Sequence, residues 1–402
     1  MRYMIPIFQH ITGQTAGHLP QLRDHLLSQV RTGSREIDIL QWMTGTALEL
    51  VGQGGLGYSF DALNPNSKNE YGAAAKLLAP ILFGLSLPRQ FLPWFRMLGP
   101  HSLQKLVAKR IPSRRFQKLL NIVEVIDKTS KKIFTEKTTA LAKGDDAVAH
   151  QVGEGRDIMS VLLKANMEAS AEDKLQDEEL LGQMNTILFA AMDTTSNALC
   201  RIFQLLSQNQ DVQDKLRAEI VQAREATKVS WITTICTRSR IWTPWAPLSF
   251  ISRTARADTI LPLGTPVQGE DGSMITELFV PKNTDAIISI IGTNRNPSLW
   301  GADAREWKPE RWLSPLPESV TSSKVPGVYA NLMTFLGGGR SCIGFKFSQL
   351  EMKVVLSTLL PVFRFSPAKE YIVWRLGGIA NPTVEASGLD TPAMPMQLSI
   401  VN

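Results

Sequence analysis

The stretch from Asp177 to Gln208 limits what this chain can fold into more than any other. Leu180, Leu181, Met184, Ile187, Leu188, Ala191 and Met192 keep the spacing of one helical face, and Leu199, Ile202, Phe203, Leu205 and Leu206 resume it. Asp177, Glu178 and Glu179 open the stretch, where negative charge suits the positive end of a helix. Between the two apolar halves stand Asp193, Thr194, Thr195, Ser196 and Asn197. Acids and hydroxyls inside a packed helix cost free energy unless they are hydrogen-bonded. The patch is therefore either a satisfied network or a functional site.

The rest of the chain reads as helices with one β region. Residues 37–51 keep a helical period that Gly52, Gly54 and Gly55 end. Residues 77–98 are apolar but broken by Pro80, Pro88 and Pro93, which predicts short helices around a cavity or at an interface, with ordinary core the commoner reading of such a run. Residues 144–155 read as a surface loop. Residues 250–291 read as short strands punctuated by Pro262, Gly264, Pro266, Gly269 and Gly272. A helical period returns over 345–360. The predicted class is mainly α with a small β region.

Composition narrows the function. The 402 residues are 44% hydrophobic and 20% charged, enough to bury a core, which excludes disorder, collagen and a disulfide scaffold. Cys200, Cys236 and Cys342 show neither zinc spacing nor an even framework, so a reducing compartment fits. The net charge of +6 is spread out. It is densest over Lys105, Lys109, Arg110, Arg114, Arg115 and Lys118, then Lys128, Lys131 and Lys132. That run reads as a solvated helical face, or as a surface for anionic membrane or an acidic partner. No aromatic platform accompanies it, so nucleic acid is not expected. Residues 77–87, the longest apolar run, fall short of the roughly 20 residues a bilayer requires, and no signal peptide is read at the start.

Residues 335–344 read Phe-Leu-Gly-Gly-Gly-Arg-Ser-Cys-Ile-Gly. The fixed positions Phe335, Gly338, Arg340, Cys342 and Gly344 arise together by chance with a probability below about 10⁻⁴. Glycines let backbone approach a flat group closely. Cys342 precedes a helix, whose N–H groups favour thiolate over thiol. The run resembles the haem-binding signature of the cytochrome P-450 monooxygenases. The resemblance implies haem b (iron protoporphyrin IX), with Cys342 as axial ligand of the iron, Arg340 on a propionate, Phe335 over the sulfur side and Gly344 allowing close approach.

Other segments are similar to the same family. Residues 190–195, Ala-Ala-Met-Asp-Thr-Thr, resemble its oxygen-binding helix, with Ala191 where glycine is usual. There the acid and alcohol, here Asp193 and Thr194, open the helix over the iron and organise water for proton delivery; Thr195 and Ser196 are read as structural. Residues 307–312, Trp-Lys-Pro-Glu-Arg-Trp, resemble the segment before the haem loop. Residues 253–258 resemble a strand whose first arginine, here Arg253, contacts a propionate. Pro247–Ile251 would line the substrate pocket. The expected architecture is a single P450-like domain over 1–402, incomplete because it is read as starting after the membrane anchor and first helices.

A second departure is internal. The family's Glu-x-x-Arg helix should precede Pro247, yet no such spacing occurs between Val229 and Pro247. Residues 231–245 lack amphipathic period, and a one-nucleotide frame shift with suitable codons turns them into DYDDLHALPYLDAV, which resembles the approach to that helix. A mispredicted or variant splice is the expectation, tested by sequencing the transcript. Arg311 should then lose its two partners, at about 3–5 kcal/mol for an uncompensated buried charge, weakening haem retention.

The function implied is a haem-thiolate monooxygenase similar to fungal members, acting in secondary metabolism. It would take electrons from an NADPH-cytochrome P-450 reductase and insert one atom of O2 into a small apolar organic substrate. Residence on the cytosolic face of the endoplasmic reticulum membrane, with peripheral contact, follows from the same resemblance. The alternative is a catalytically impaired or non-catalytic haem-binding isoform.

Overall fold

A reciprocal cap fixes where the longest helix begins. The Gln176 backbone N–H donates to the Glu179 carboxylate at 3.1 Å, and the Gln176 side chain accepts from the Glu179 N–H. The chain is described from a computed structural model covering residues 19–33, 36–67, 69–85, 87–97, 99–144, 155, 157–226, 246–323, 325–329, 331–387 and 391–401. They fall into two compact units, one drawn from residues 1–239 and 346–402 and the other from 240–345. The predicted loop over 144–155, apart from Gly144 and Gly155, lies outside the described residues. So do Cys236 and the whole of 231–245.

The first unit holds helices α1 (Ile39–Val51), α2 (Glu70–Gly84), α3 (Arg114–Lys143), α4 (Ile158–Glu168), α5 (Asp177–Gln208), α6 (Gln210–Ala226) and α7 (Phe345–Leu359). The long predicted helix is α5, with the bounds read from sequence. Its first half buries Leu180, Met184, Leu188 and Met192 against Leu48 and Val51 of α1 and Met159 and Leu163 of α4. Each fully buried side chain of this kind contributes about 1.5–3 kcal/mol, so Leu188→Ala would cost about 2–5 kcal/mol.

Glycines do not simply stop α1. Residues Gly52–Leu56 wind on as a π-helical turn, and the left-handed Gly57, at φ 59°, ends it. Prolines do not simply break the next segment either. Helix α2 runs through Pro80, and a 3₁₀ turn (Pro88–Phe91) and a short helix (Leu92–Arg96) follow.

Asp38 caps α1 by accepting from the Leu40 N–H at 3.1 Å, and its carboxylate also takes the Met394 N–H at 2.8 Å. That carboxylate ties α1 to the sheet β1 (Glu36–Asp38), β9 (Pro395–Ile400), β6 (Phe363–Ser366), antiparallel throughout. A hairpin of β7 (Ile372–Gly377) and β8 (Ile379–Val384) completes this unit.

The second unit carries β2 (Phe250–Thr254) paired with β5 (Asp285–Ser289), and the hairpin β3 (Thr259–Gln268) with β4 (Met274–Val280). The predicted breaks at Pro262, Gly264 and Pro266 are absorbed inside β3, where the register shifts between Pro262 and Val267. Its small core packs Trp300, Trp312, Val320 and Leu332, the two indoles 5.5 Å apart.

Candidate active site

The glycine-rich loop of the second unit is shaped by its backbone. The Cys342 N–H donates to the Phe335 carbonyl at 2.9 Å, closing the loop across the glycines. Leu336 is held at φ 57° and Gly338 at φ 67°, and a left-handed leucine is strained by about 1–3 kcal/mol. The Phe335 ring packs edge-on to Phe345 at 5.0 Å. A side chain on Gly338 or Gly339 would meet open space, and one on Gly344 would touch only Cys342 Sγ, at 3.9 Å. Gly337 is the opposite case, because its Cβ would lie 1.7 Å from the Pro326 carbonyl oxygen.

Cys342 is exposed. Nearby protein still desolvates its sulfur enough to push the thiol up, while the N–H groups of Gly344 and Phe345 pull it down. The expected helix-start effect is thus present but outweighed by burial. Arg340, in the loop, and Arg253, on β2, have no ion pair among the described residues; Arg253 donates only to the Ser252 carbonyl at 2.8 Å. A soft sulfur donor, bare glycines and two guanidiniums without an ion pair among the described residues fit a flat iron macrocycle bearing carboxylates.

The polar patch of α5 belongs to the first unit and splits by direction. Thr194 Oγ1 donates to the Ala190 carbonyl at 2.7 Å. Asp193 is fully buried and takes the Lys76 ammonium of α2 on Oδ1 at 2.6 Å. Lys76 Nζ also reaches Asn197 Oδ1 at 2.8 Å and Ser196 Oγ at 3.4 Å. Asn197 Nδ2 donates to Asn381 Oδ1 of β8 at 3.1 Å. Asp193 Oδ2 is buried without a partner among the described residues. Asn197 was read from the sequence only as a member of the polar patch, and Lys76 and Asn381 were not picked out. The one legible signal was a lysine inside the apolar run Ala-Ala-Ala-Lys-Leu-Leu.

A sequence profile described as Cytochrome P450 matches residues 19–375. The chain belongs to the cytochrome P450 family. It is 51% identical to cytochrome P450 monooxygenase 91 of Postia placenta, over all of this chain and 74% of the relative. It is 45% identical to ganoderic acid synthetase CYP5150L8 of Ganoderma lucidum, over 91% of this chain and 69% of that one. The fold matches the crystal structure of a cytochrome P450 (CYP102L1) at a TM-score of 0.66 and 22% identity, over 98% of this chain and 75% of that one. The mainly α P450 fold, haem-iron binding and a fungal haem-thiolate monooxygenase lineage follow from membership.

One expectation is overturned. Arg311 is not left unpaired: its Nη2 meets Asp303 Oδ1 at 2.8 Å and the Asp303 carbonyl at 3.2 Å, and Nη1 donates to the Trp300 carbonyl at 3.0 Å. Hydrogen bonds from Lys308 and Arg311 hold the Asp303 carboxyl down at about 2. A local acid and two carbonyls replace the expected partners, so the predicted 3–5 kcal/mol penalty does not arise.

Proposed function

We propose that this P450 holds haem b through Cys342, with Arg340 and Arg253 on the propionates, and oxygenates a small apolar organic substrate. The loop closed by the Phe335–Cys342 bond, with its bare glycines, carries this reading. When bound, the haem supplies dioxygen activation and oxygen insertion, with thiolate donation favouring O–O cleavage. The protein's own work is to hold that sulfur, neutralise two carboxylates and move protons. Two electrons and two protons accompany each O2, one oxygen atom entering a C–H bond and the other leaving as water. Asp193 and Thr194 carry the protons, Asp193 through Oδ2, which has no partner among the described residues, and Thr194 through the hydroxyl that rests on the Ala190 carbonyl. Pro247–Ile251 border the substrate.

Electrons come from an NADPH-cytochrome P-450 reductase, and the whole chain, 1–402, acts as one P450 domain. The enzyme works on the cytosolic face of the endoplasmic reticulum membrane, touching it through the exposed apolar Leu87, Phe91, Leu92, Trp94 and Met97. No described helix is long and apolar enough to cross a membrane. The name of the Ganoderma relative supports a place in fungal secondary metabolism. Haem-loaded chain with reductase, NADPH and ¹⁸O₂ tests this against a panel of apolar organic compounds. One labelled oxygen per product is expected. Reducible haem that yields no labelled product would support the non-catalytic isoform instead.

A further inference from the structure

We infer that Lys76 and Asn381 are positioning residues that clamp the Asp193 carboxylate so that one oxygen, Oδ2, is kept for an ordered water. The consequence for turnover rests on the monooxygenase reading; the clamp itself rests on geometry. Helix α2 reaches this carboxylate of α5 through Lys76, and β8 reaches it only indirectly, through the bond of Asn381 to Asn197. The three N–H bonds of Lys76 are spent on Asp193 Oδ1 at 2.6 Å, Asn197 Oδ1 at 2.8 Å and Ser196 Oγ at 3.4 Å. Asn197 Nδ2 is spent on Asn381 Oδ1 at 3.1 Å and, more weakly, on Asp193 Oδ1 at 3.3 Å. Asn381 Nδ2 donates to the Ile379 carbonyl at 3.2 Å. Among the described residues no donor is left over for Oδ2, which is buried without a partner there.

A buried carboxylate oxygen without a donor calls for one, and water is the donor that needs no further protein group. Lys76 also lines a cavity of about 740 Å³ whose other walls include Leu40 and Thr44 of α1, Leu63 and Asn69. Pro80 has no N–H to give the Lys76 carbonyl one turn back. Lys76 decides which carboxylate oxygen is occupied, and Asn381 holds Asn197 so that the choice is kept.

Two measurements test this. First, Lys76→Met and Asn381→Leu are compared singly and together by chemical unfolding. The two side chains share no direct bond, so independent roles predict that their effects on the unfolding constant multiply. The clamp predicts a departure of at least about threefold from that product, abolished in an Asp193→Asn background. Simple multiplication would overturn it, whether or not the chain turns over substrate. Lys76→Gln, which keeps a donor, replaces Lys76→Met if the latter does not fold. Second, in haem-loaded chain each variant should raise hydrogen peroxide released per O2 consumed several-fold, at unchanged haem content and KM. An unchanged ratio alongside a raised one in Asp193→Asn would make Lys76 and Asn381 merely structural.

Discussion

At Gly337 a single methyl group would sit 1.7 Å from the Pro326 carbonyl oxygen, and backbone cannot yield as a flexible side chain would. Gly337→Ala is therefore expected to cost about 1–3 kcal/mol or more and to strip haem from the chain. Gly339→Ala, facing open space, should leave folding of the haem-free chain nearly unchanged; haem content and thermal unfolding check both. Glu351 of α7 makes a second residue-scale prediction. It is buried, neither carboxyl oxygen has a partner among the described residues, and burial pushes the group up to about 8. The unfolded chain ionises it near 4.5, so the folded chain holds an extra proton between the two values. Stability is greatest below that window and falls as pH rises through it, by up to about 1.4 kcal/mol per unit. Glu351→Gln should flatten the slope and raise the unfolding temperature at pH 8. An unchanged slope would show that the acid finds a partner. The fixed positions of the glycine-rich loop were legible because they stand together in one short run, 335–344. The need for glycine at 337 was not, since it comes from a carbonyl eleven residues earlier.

At the scale of elements, the buried bridge between α2 and α5 sets a clear stability test. Lys76→Met leaves Asp193 buried without its cation and should cost about 3–5 kcal/mol, much of it recovered in Lys76→Met/Asp193→Asn. Denaturant midpoints measure both. Helix α5 was readable to its ends because its apolar period and acidic first turn agree with its packing. The π turn after α1 and the strand through Pro262 and Pro266 were not. In both, tertiary contacts override what glycine and proline prefer locally: the Gly52 position is crowded by Phe60 and Tyr58, and β4 pairs across the β3 irregularity. Arg311 gives the same lesson, for the absence of a Glu-x-x-Arg spacing between Val229 and Pro247 was legible while the acid at Asp303, eight residues away, emerged only in space.

For the whole molecule, the apolar side chains at 87–97 and the basic run that follows them in sequence argue for one membrane-facing stretch. Leu87, Trp94 and Met97 are 73%, 73% and 82% exposed. The helix His101–Lys109 adds exposed Leu103 and Leu106 beside Lys105 and Lys109. Co-sedimentation with anionic vesicles should weaken several-fold in Trp94→Ser/Met97→Ser and at high salt, because apolar insertion and charge act together. Binding indifferent to both would remove this surface from the picture. The proposed function depends on iron being held by one sulfur. The deciding measurement is the absorption of the reduced, haem-loaded chain under carbon monoxide, for the chain itself and for Cys342→Ser. A thiolate-type red-shifted band that vanishes in the variant is predicted. A carbonyl spectrum that is the same in both would contradict ligation by Cys342.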